Sequence, residues 1–180
     1  MSCCPSESWP SLTTPETYTP KGSLQTLPSP SNSSPLPIYV SLPATPNGHS
    51  LLVFPEIYGW SGRLKGICDH FASLGYVVIL PDIFRGTTGD NKGEKLMDWI
   101  REYPWDAHCK NDLDSILQYT SSTYDIPLHK TGSIGFCWGA WFNAKALSCG
   151  YAFFAAVGAH PSVKLEEFAF ERSQDEMFQR

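Results

Sequence analysis

Ile134-Gly135-Phe136-Cys137-Trp138-Gly139-Ala140 decides the fold. An apolar run ends in Gly-x-Cys-x-Gly and continues into Ala140-Trp141-Phe142-Asn143-Ala144-Lys145-Ala146-Leu147. The pattern reads as strand, sharp turn, helix. It is the G-x-S-x-G nucleophile elbow with cysteine in place of serine. Such a turn crowds the backbone, so the residues two before and two after the nucleophile must be small. Gly135 and Gly139 meet that need by lacking a Cβ. Cys137 then stands at the C-terminal edge of a sheet, where open α/β folds bind ligands. The plainer alternative is a buried cysteine packing as a small hydrophobe in a glycine-punctuated core segment.

Outward from the elbow, apolar runs alternate with helical spacing. Ile38-Tyr39-Val40-Ser41-Leu42, Ser50-Leu51-Leu52-Val53-Phe54, Tyr76-Val77-Val78-Ile79-Leu80, Thr131 to Phe136 and Phe153-Phe154-Ala155-Ala156-Val157 read as strands. Asn47-Gly48 signals a hairpin turn. Ile67, Phe71 and Leu74 place a helix over 61–74, stopped by Gly75. Leu96 to Arg101 reads as a short helix, and Leu113, Ile116, Leu117 and Thr120 mark another. Strands alternating with helices imply right-handed crossovers and a mostly parallel sheet flanked by helices. Residues 1–37 are rich in Pro, Ser and Thr and read as an N-terminal arm, with a short hairpin around Tyr18 to Leu24; residues 38–180 form the domain. The segment from Val163 onward is charged and partly helical.

The 180 residues suffice for one domain with a sizeable core, and 42% hydrophobic with 17% charged residues suits a globular chain. A net charge of -5 gives no basic footprint for nucleic acid. No apolar run is long enough to span a membrane, and the N-terminus lacks the basic and apolar regions of a secretory signal. The 6 cysteines, at positions 3, 4, 68, 109, 137 and 149, show no C-x-x-C spacing. Neither a metal site nor a disulfide framework is expected. A reducing cytoplasm fits a thiol nucleophile.

Four segments together resemble the dienelactone hydrolase family, carboxymethylenebutenolidase-like members of the α/β-hydrolase fold. They are Tyr18-Thr19-Pro20-Lys21-Gly22, Pro55-Glu56-Ile57-Tyr58-Gly59, Pro81-Asp82-Ile83-Phe84 and Gly135-Phe136-Cys137-Trp138-Gly139. The resemblance implies a hydrolase acting on a small lactone or ester through Cys137, without a cofactor. It also implies that Glu56 contacts the nucleophile and that Arg85 holds a substrate carboxylate, the plainer alternative for Arg85 being a solvated loop residue. The backbone N–H groups of Trp138 and Ile57 are then expected to form the oxyanion hole. A helix start favours thiolate at Cys137, and the nearby Glu56 carboxylate opposes that charge at rest.

In this fold the catalytic residues run nucleophile, acid, histidine along the chain. After Cys137 the histidine is His160, and Glu166, Glu167, Glu171, Asp175 and Glu176 all follow it, so the order is reversed. The family's acid and histidine lie after two later strands, so the chain is expected to be C-terminally truncated and to lack the last strands of the fold. His160 is expected to pack or cap the loop before Pro161. The competing readings are a non-catalytic product that binds a ligand or partner, and a redox-sensing thiol protein, which lacks a resolving-cysteine motif near Cys137.

Overall fold

The computed structural model describes residues 18–28, 34–60, 62–90 and 92–170. Six strands form one mixed sheet: β1 (Ser23–Leu27), β2 (Leu36–Ser41), β3 (Ser50–Phe54), β4 (Val77–Pro81), β5 (Thr131–Phe136) and β6 (Ala156–Ala159), in the spatial order β1-β2-β4-β3-β5-β6. β1 and β2 pair antiparallel, as do β2 and β4. From β4 onward all neighbours are parallel. The helices are α1 (Gly62–Ser73), α2 (Leu96–Arg101), α3 (Lys110–Tyr124), α4 (Trp138–Ser148) and α5 (Leu165–Phe168), with a π-helical turn Trp105–Cys109 leading into α3. This is the α/β-hydrolase-like architecture, a largely parallel sheet flanked by helices.

The central strands are apolar on both faces because both are covered. Along β3, Leu51 and Val53 face the cluster that receives Leu64, Cys68 and Ala72 of α1. Leu52 and Phe54 face the larger cluster, with Leu113 and Ile116 of α3 and Trp138, Trp141 and Phe142 of α4. Each side chain alternates face because the strand period is two. Phe54 stacks on Phe142 with centroids 4.1 Å apart, which ties α4 to the middle of the sheet.

Three elements depart from the sequence reading. Asn47-Gly48 does form a turn, with Gly48 at φ 80°, but the strands on either side of it are not a hairpin. β4 lies between β2 and β3, and Asn47 instead docks on the end of α1, its amide donating to the Gly75 carbonyl at 2.9 Å. Burial of the apolar strand β4 overrides the local turn preference. β1 lies within the segment read as an arm and forms an edge strand on β2; residues 1–17 lie outside the described residues. β6 starts three residues later than the apolar run that announced it, because Phe154 packs across Gly132 and edge-on to His49 before the pairing with Ser133 begins at Ala156.

Buried Asp69 on α1 secures the Tyr18 to Gly22 segment. Its carboxylate accepts hydrogen bonds from Ser41 Oγ (2.5 Å), Tyr39 Oη (2.7 Å), the Lys21 amide (2.8 Å) and Tyr18 Oη (2.9 Å). Gly22 lies against Tyr39, where a Cβ would fall 2.5 Å from the Val40 carbonyl oxygen. Burial pushes the Asp69 carboxyl up, but the four donors outweigh it and hold it below the usual carboxylate value. A depressed carboxylate stabilises the fold above its unfolded value of about 3.9, and that contribution is lost as the pH falls through the lower folded value. Asp69→Asn is therefore expected to cost about 1–3 kcal/mol near neutrality. Urea midpoints should also fall less steeply below about pH 4 in the variant than in the native chain. Parallel pH profiles for the two proteins would rule out a stabilising ionised Asp69.

Candidate functional site

The parallel register brings three loops to one edge of the sheet. Phe54 pairs with Gly135, and Gly135 and Phe136 pair with Gly158 and Ala159. The chain leaving β3 therefore starts with Pro55-Glu56-Ile57, the chain leaving β5 with Cys137, and the chain leaving β6 with His160-Pro161-Ser162. Cys137 stands between β5 and α4 at φ 51°, ψ -108°, in the left-handed half of backbone space that L residues rarely adopt. Its carbonyl accepts from the Ala140 and Trp141 amides at 3.1 and 3.2 Å, and its own amide donates to Ala159 at 3.0 Å. The strained turn is thus held from both sides.

Both glycines of the elbow are required by contact and not by φ. A Cβ on Gly135 would lie 2.1 Å from the Gly139 carbonyl oxygen, and one on Gly139 would lie 2.3 Å from that of Phe54. The first helical turn of α4 is pressed against β5 and β3 at backbone distance.

Cys137 is 1% exposed, and its sulfur lies 3.2 Å from the Ser162 hydroxyl. The Ser162 amide donates to the Cys137 carbonyl at 3.2 Å. Glu56 is buried at the same sheet edge, and its carbonyl accepts from Gly59 at 3.0 Å to turn the loop. Ile57 is fixed by its carbonyl, which accepts from Gly89 at 2.7 Å, and by side-chain packing on Gly89. Trp138 opens α4, so its N–H is one of the donors that no carbonyl within the helix can satisfy. Its ring is fully buried against Phe84, Trp141 and Phe142.

Arg85, at φ 54°, pairs both terminal nitrogens with the Asp112 carboxylate at 2.7 Å. It also donates to the carbonyls of Ile83 (3.0 Å), Ser34 (3.2 Å) and Asp82 (3.3 Å). Its donors are largely committed within the protein. His108 shares the same cluster, with Nε2 3.1 Å from the Ile83 carbonyl. His160 is exposed at φ 40°, and its ring makes no hydrogen bond, ion pair or ring contact among the described residues. Glu166 accepts from Trp141 Nε1 at 2.7 Å and pairs with Lys145 at 3.0 Å, both on α4. Trp105 packs in the core against Phe142 and Tyr151.

Burial pushes Cys68 and Cys109 up, which makes them poor nucleophiles, and Cys149 is exposed at the far end of α4. No group of three or more His, Cys, Asp or Glu among the described residues is arranged to hold a metal ion, and no described helix is long and apolar enough to cross a membrane.

The sequence points to Cys137, Glu56, Ile57 and Trp138, which the sheet brings to adjoining turns, but not to Ser162, which lies against the sulfur. The signal was present: a strand parallel to β5 and next in sequence must deliver its following residues to the Cys137 edge.

The family model for the dienelactone hydrolase family matches residues 36–177. Among curated proteins, a hydrolase of Aspergillus violaceofuscus, pyvD, is 28% identical over 134 residues, covering 71% of this chain and 52% of its own length. A carboxymethylenebutenolidase homolog of Rattus norvegicus is 27% identical over 107 residues, covering 56% and 42% respectively. The chain thus spans about half the length of the curated relatives it matches. Among solved structures, a dienelactone hydrolase from Klebsiella pneumoniae superposes with a TM-score of 0.61 at 22% identity, over 78% of this chain and 60% of that one. The dienelactone hydrolase-like promiscuous phosphotriesterase P91 from metagenomic libraries gives 0.63 at 20% identity, over 78% and 59%.

Proposed function

The chain belongs to the dienelactone hydrolase family, and we propose that it carries the nucleophile half of a lactone or small-ester hydrolase site centred on Cys137. The strained placement of Cys137 between β5 and α4, clamped by Gly135 and Gly139 beside the Glu56 loop, carries this reading. In the reaction the Cys137 thiolate adds to the ester carbonyl carbon. The oxyanion formed is held by the N–H groups of Trp138 and Ile57. Collapse expels the alkoxide, which takes a proton from solvent, and leaves a thioester on Cys137. Water then hydrolyses the thioester and restores the thiol. Glu56 opposes the thiolate charge at rest and yields when substrate enters.

Arg85 enters this reading through Asp112. A substrate carboxylate would have to compete with a bidentate partner already in place. We therefore place Arg85 as the tie that holds the 82–86 loop, where Phe84 supports the Trp138 ring at 4.7 Å.

A second reading, ligand binding without turnover, is favoured by one observation. The hydroxyl of Ser162, not a histidine ring, lies against the sulfur, while His160 is exposed. General-base proton transfer is worth about 10²–10⁴-fold in rate. Incubation of the 1–180 chain with p-nitrophenyl acetate, followed by peptide mass mapping, tests both readings. The expected result is an acetyl group on Cys137, with steady-state hydrolysis no faster than in a Cys137→Ala control. Absence of that acetyl group would overturn the nucleophile. Turnover that depends on Cys137 would overturn the second reading and make His160→Ala the next variant.

A further inference from the structure

We propose that Ser162 is the residue that holds the Cys137 sulfur in its reactive state, its hydroxyl donating to the thiolate while its amide clamps the Cys137 carbonyl. This rests on Cys137 as the nucleophile and extends it to a residue outside the family-like motifs. The two contacts, Oγ to Sγ at 3.2 Å and the amide to the carbonyl at 3.2 Å, reach both the reacting atom and the strained peptide behind it.

The chemistry of a hydroxyl decides the direction of the effect. It can accept from a neutral thiol or donate to a thiolate, since it carries one donor and two acceptor lone pairs. The bond to the ionised partner is roughly twice as strong as the neutral one. The contact therefore favours thiolate over thiol. It acts where the need is greatest, because Cys137 is 1% exposed as a residue and little water is at hand to solvate a charge on its sulfur. Ser162 keeps its own proton throughout, and the thiol proton leaves to solvent. When the thioester is later hydrolysed and sulfur departs with its electron pair, the same hydroxyl is in position to receive that charge.

The surroundings hold the hydroxyl in place from both sides. Upstream, β6 is paired to β5, and the Cys137 amide donates to Ala159. Between them His160 turns the chain at φ 40° and Pro161 restricts the next residue. Downstream, the Ser162 carbonyl accepts from Leu165 at 3.0 Å as α5 begins. Glu166 then ties α5 to Trp141 and Lys145, on the helix that Cys137 starts. A donor fixed this way needs little rearrangement when charge appears on sulfur.

The test is a pH titration of thiolate ultraviolet absorbance, each protein read against the same chain carrying Cys137→Ala. Ser162→Ala is expected to move the midpoint up by about one pH unit, or about tenfold less thiolate at a given lower pH. Ser162→Thr keeps the hydroxyl and should leave the midpoint where it was. Ser162→Gly, which removes the hydroxyl but keeps the amide, replaces the alanine variant if that one does not fold. An unmoved or lowered midpoint without the hydroxyl would overturn the proposal, as would an equal rise in the threonine variant. The titration uses no substrate, so failure of Cys137 to accept an acetyl group counts against the proposed function alone. Normal acetylation with an unmoved midpoint counts against Ser162 alone.

Discussion

Gly135→Ala is expected to cost well over the about 1–3 kcal/mol of ordinary overpacking, and to abolish acylation of Cys137. The added methyl would meet the Gly139 carbonyl oxygen at 2.1 Å, its carbon at 2.3 Å and the Ala140 nitrogen at 2.6 Å. All three are backbone atoms in the first turn of α4. None can rotate aside as a side chain would. Relief requires α4 to move off β5, and α4 is stacked on β3 through Phe142 and Phe54. Movement in that direction also opens the Cys137 turn, whose amide and carbonyl both depend on the present spacing. Gly158→Ala is the matched control on the neighbouring strand. Its new methyl would meet Ala140 alone, the Cβ at 3.2 Å and the Cα at an ordinary 3.9 Å, so a shift of a few tenths of an ångström suffices. Urea midpoints and Cys137 acetylation should fall sharply for Gly135→Ala and little for Gly158→Ala. Similar losses in the two variants would mean that the elbow tolerates a side chain, and would remove the steric argument for the motif.

That steric demand explains why the elbow was legible in the sequence. A turn that brings backbone within van der Waals contact excludes every side chain at two positions, and glycine at both records it. The buried parallel strands were legible for a related reason. Leu51 to Phe54 and Val77 to Pro81 are covered on both faces, so each reads as an unbroken apolar run. β1 has only one residue buried, Leu27, and lies among prolines and serines, so nothing in its composition announces a strand. β6 is half exposed, with Val157 open to solvent; its limits follow from pairing with β5 more than from its own apolar residues. Ser162, Asp112 and Asp69 share a further property. Each makes its decisive contact 25 or more residues away along the chain, across a register that only the assembled sheet defines. The Tyr18 to Gly22 segment was recognisable by resemblance alone; its physical reason, the Asp69 carboxylate, sits on α1.

Asp112→Ala should be nearly as damaging as Gly135→Ala, by an electrostatic route. The Asp112 side chain is 2% exposed and that of Arg85 12%, so removing the carboxylate leaves a guanidinium largely out of water whose remaining hydrogen bonds go to carbonyls. Breaking a buried pair from one side typically costs about 3–5 kcal/mol. Replacing both partners by apolar residues, Arg85→Met with Asp112→Leu, is expected to cost less than Asp112→Ala alone, because no unpaired charge remains. A double variant as unstable as the sum of its singles would show that the two side chains act independently. The consequence for the site passes through Phe84, one residue before Arg85, which packs on the Trp138 ring. Loosening the 82–86 loop should therefore slow acylation of Cys137 as well as lower the urea midpoint. The form of that loss assigns Arg85. If Arg85 acts only as a tie for the loop, acylation by a neutral ester and by a carboxylate-bearing lactone should slow by the same factor. A smaller loss, or a gain, for the carboxylate-bearing compound would mean that Arg85, released from Asp112, binds substrate, and the loop-tie role would fall.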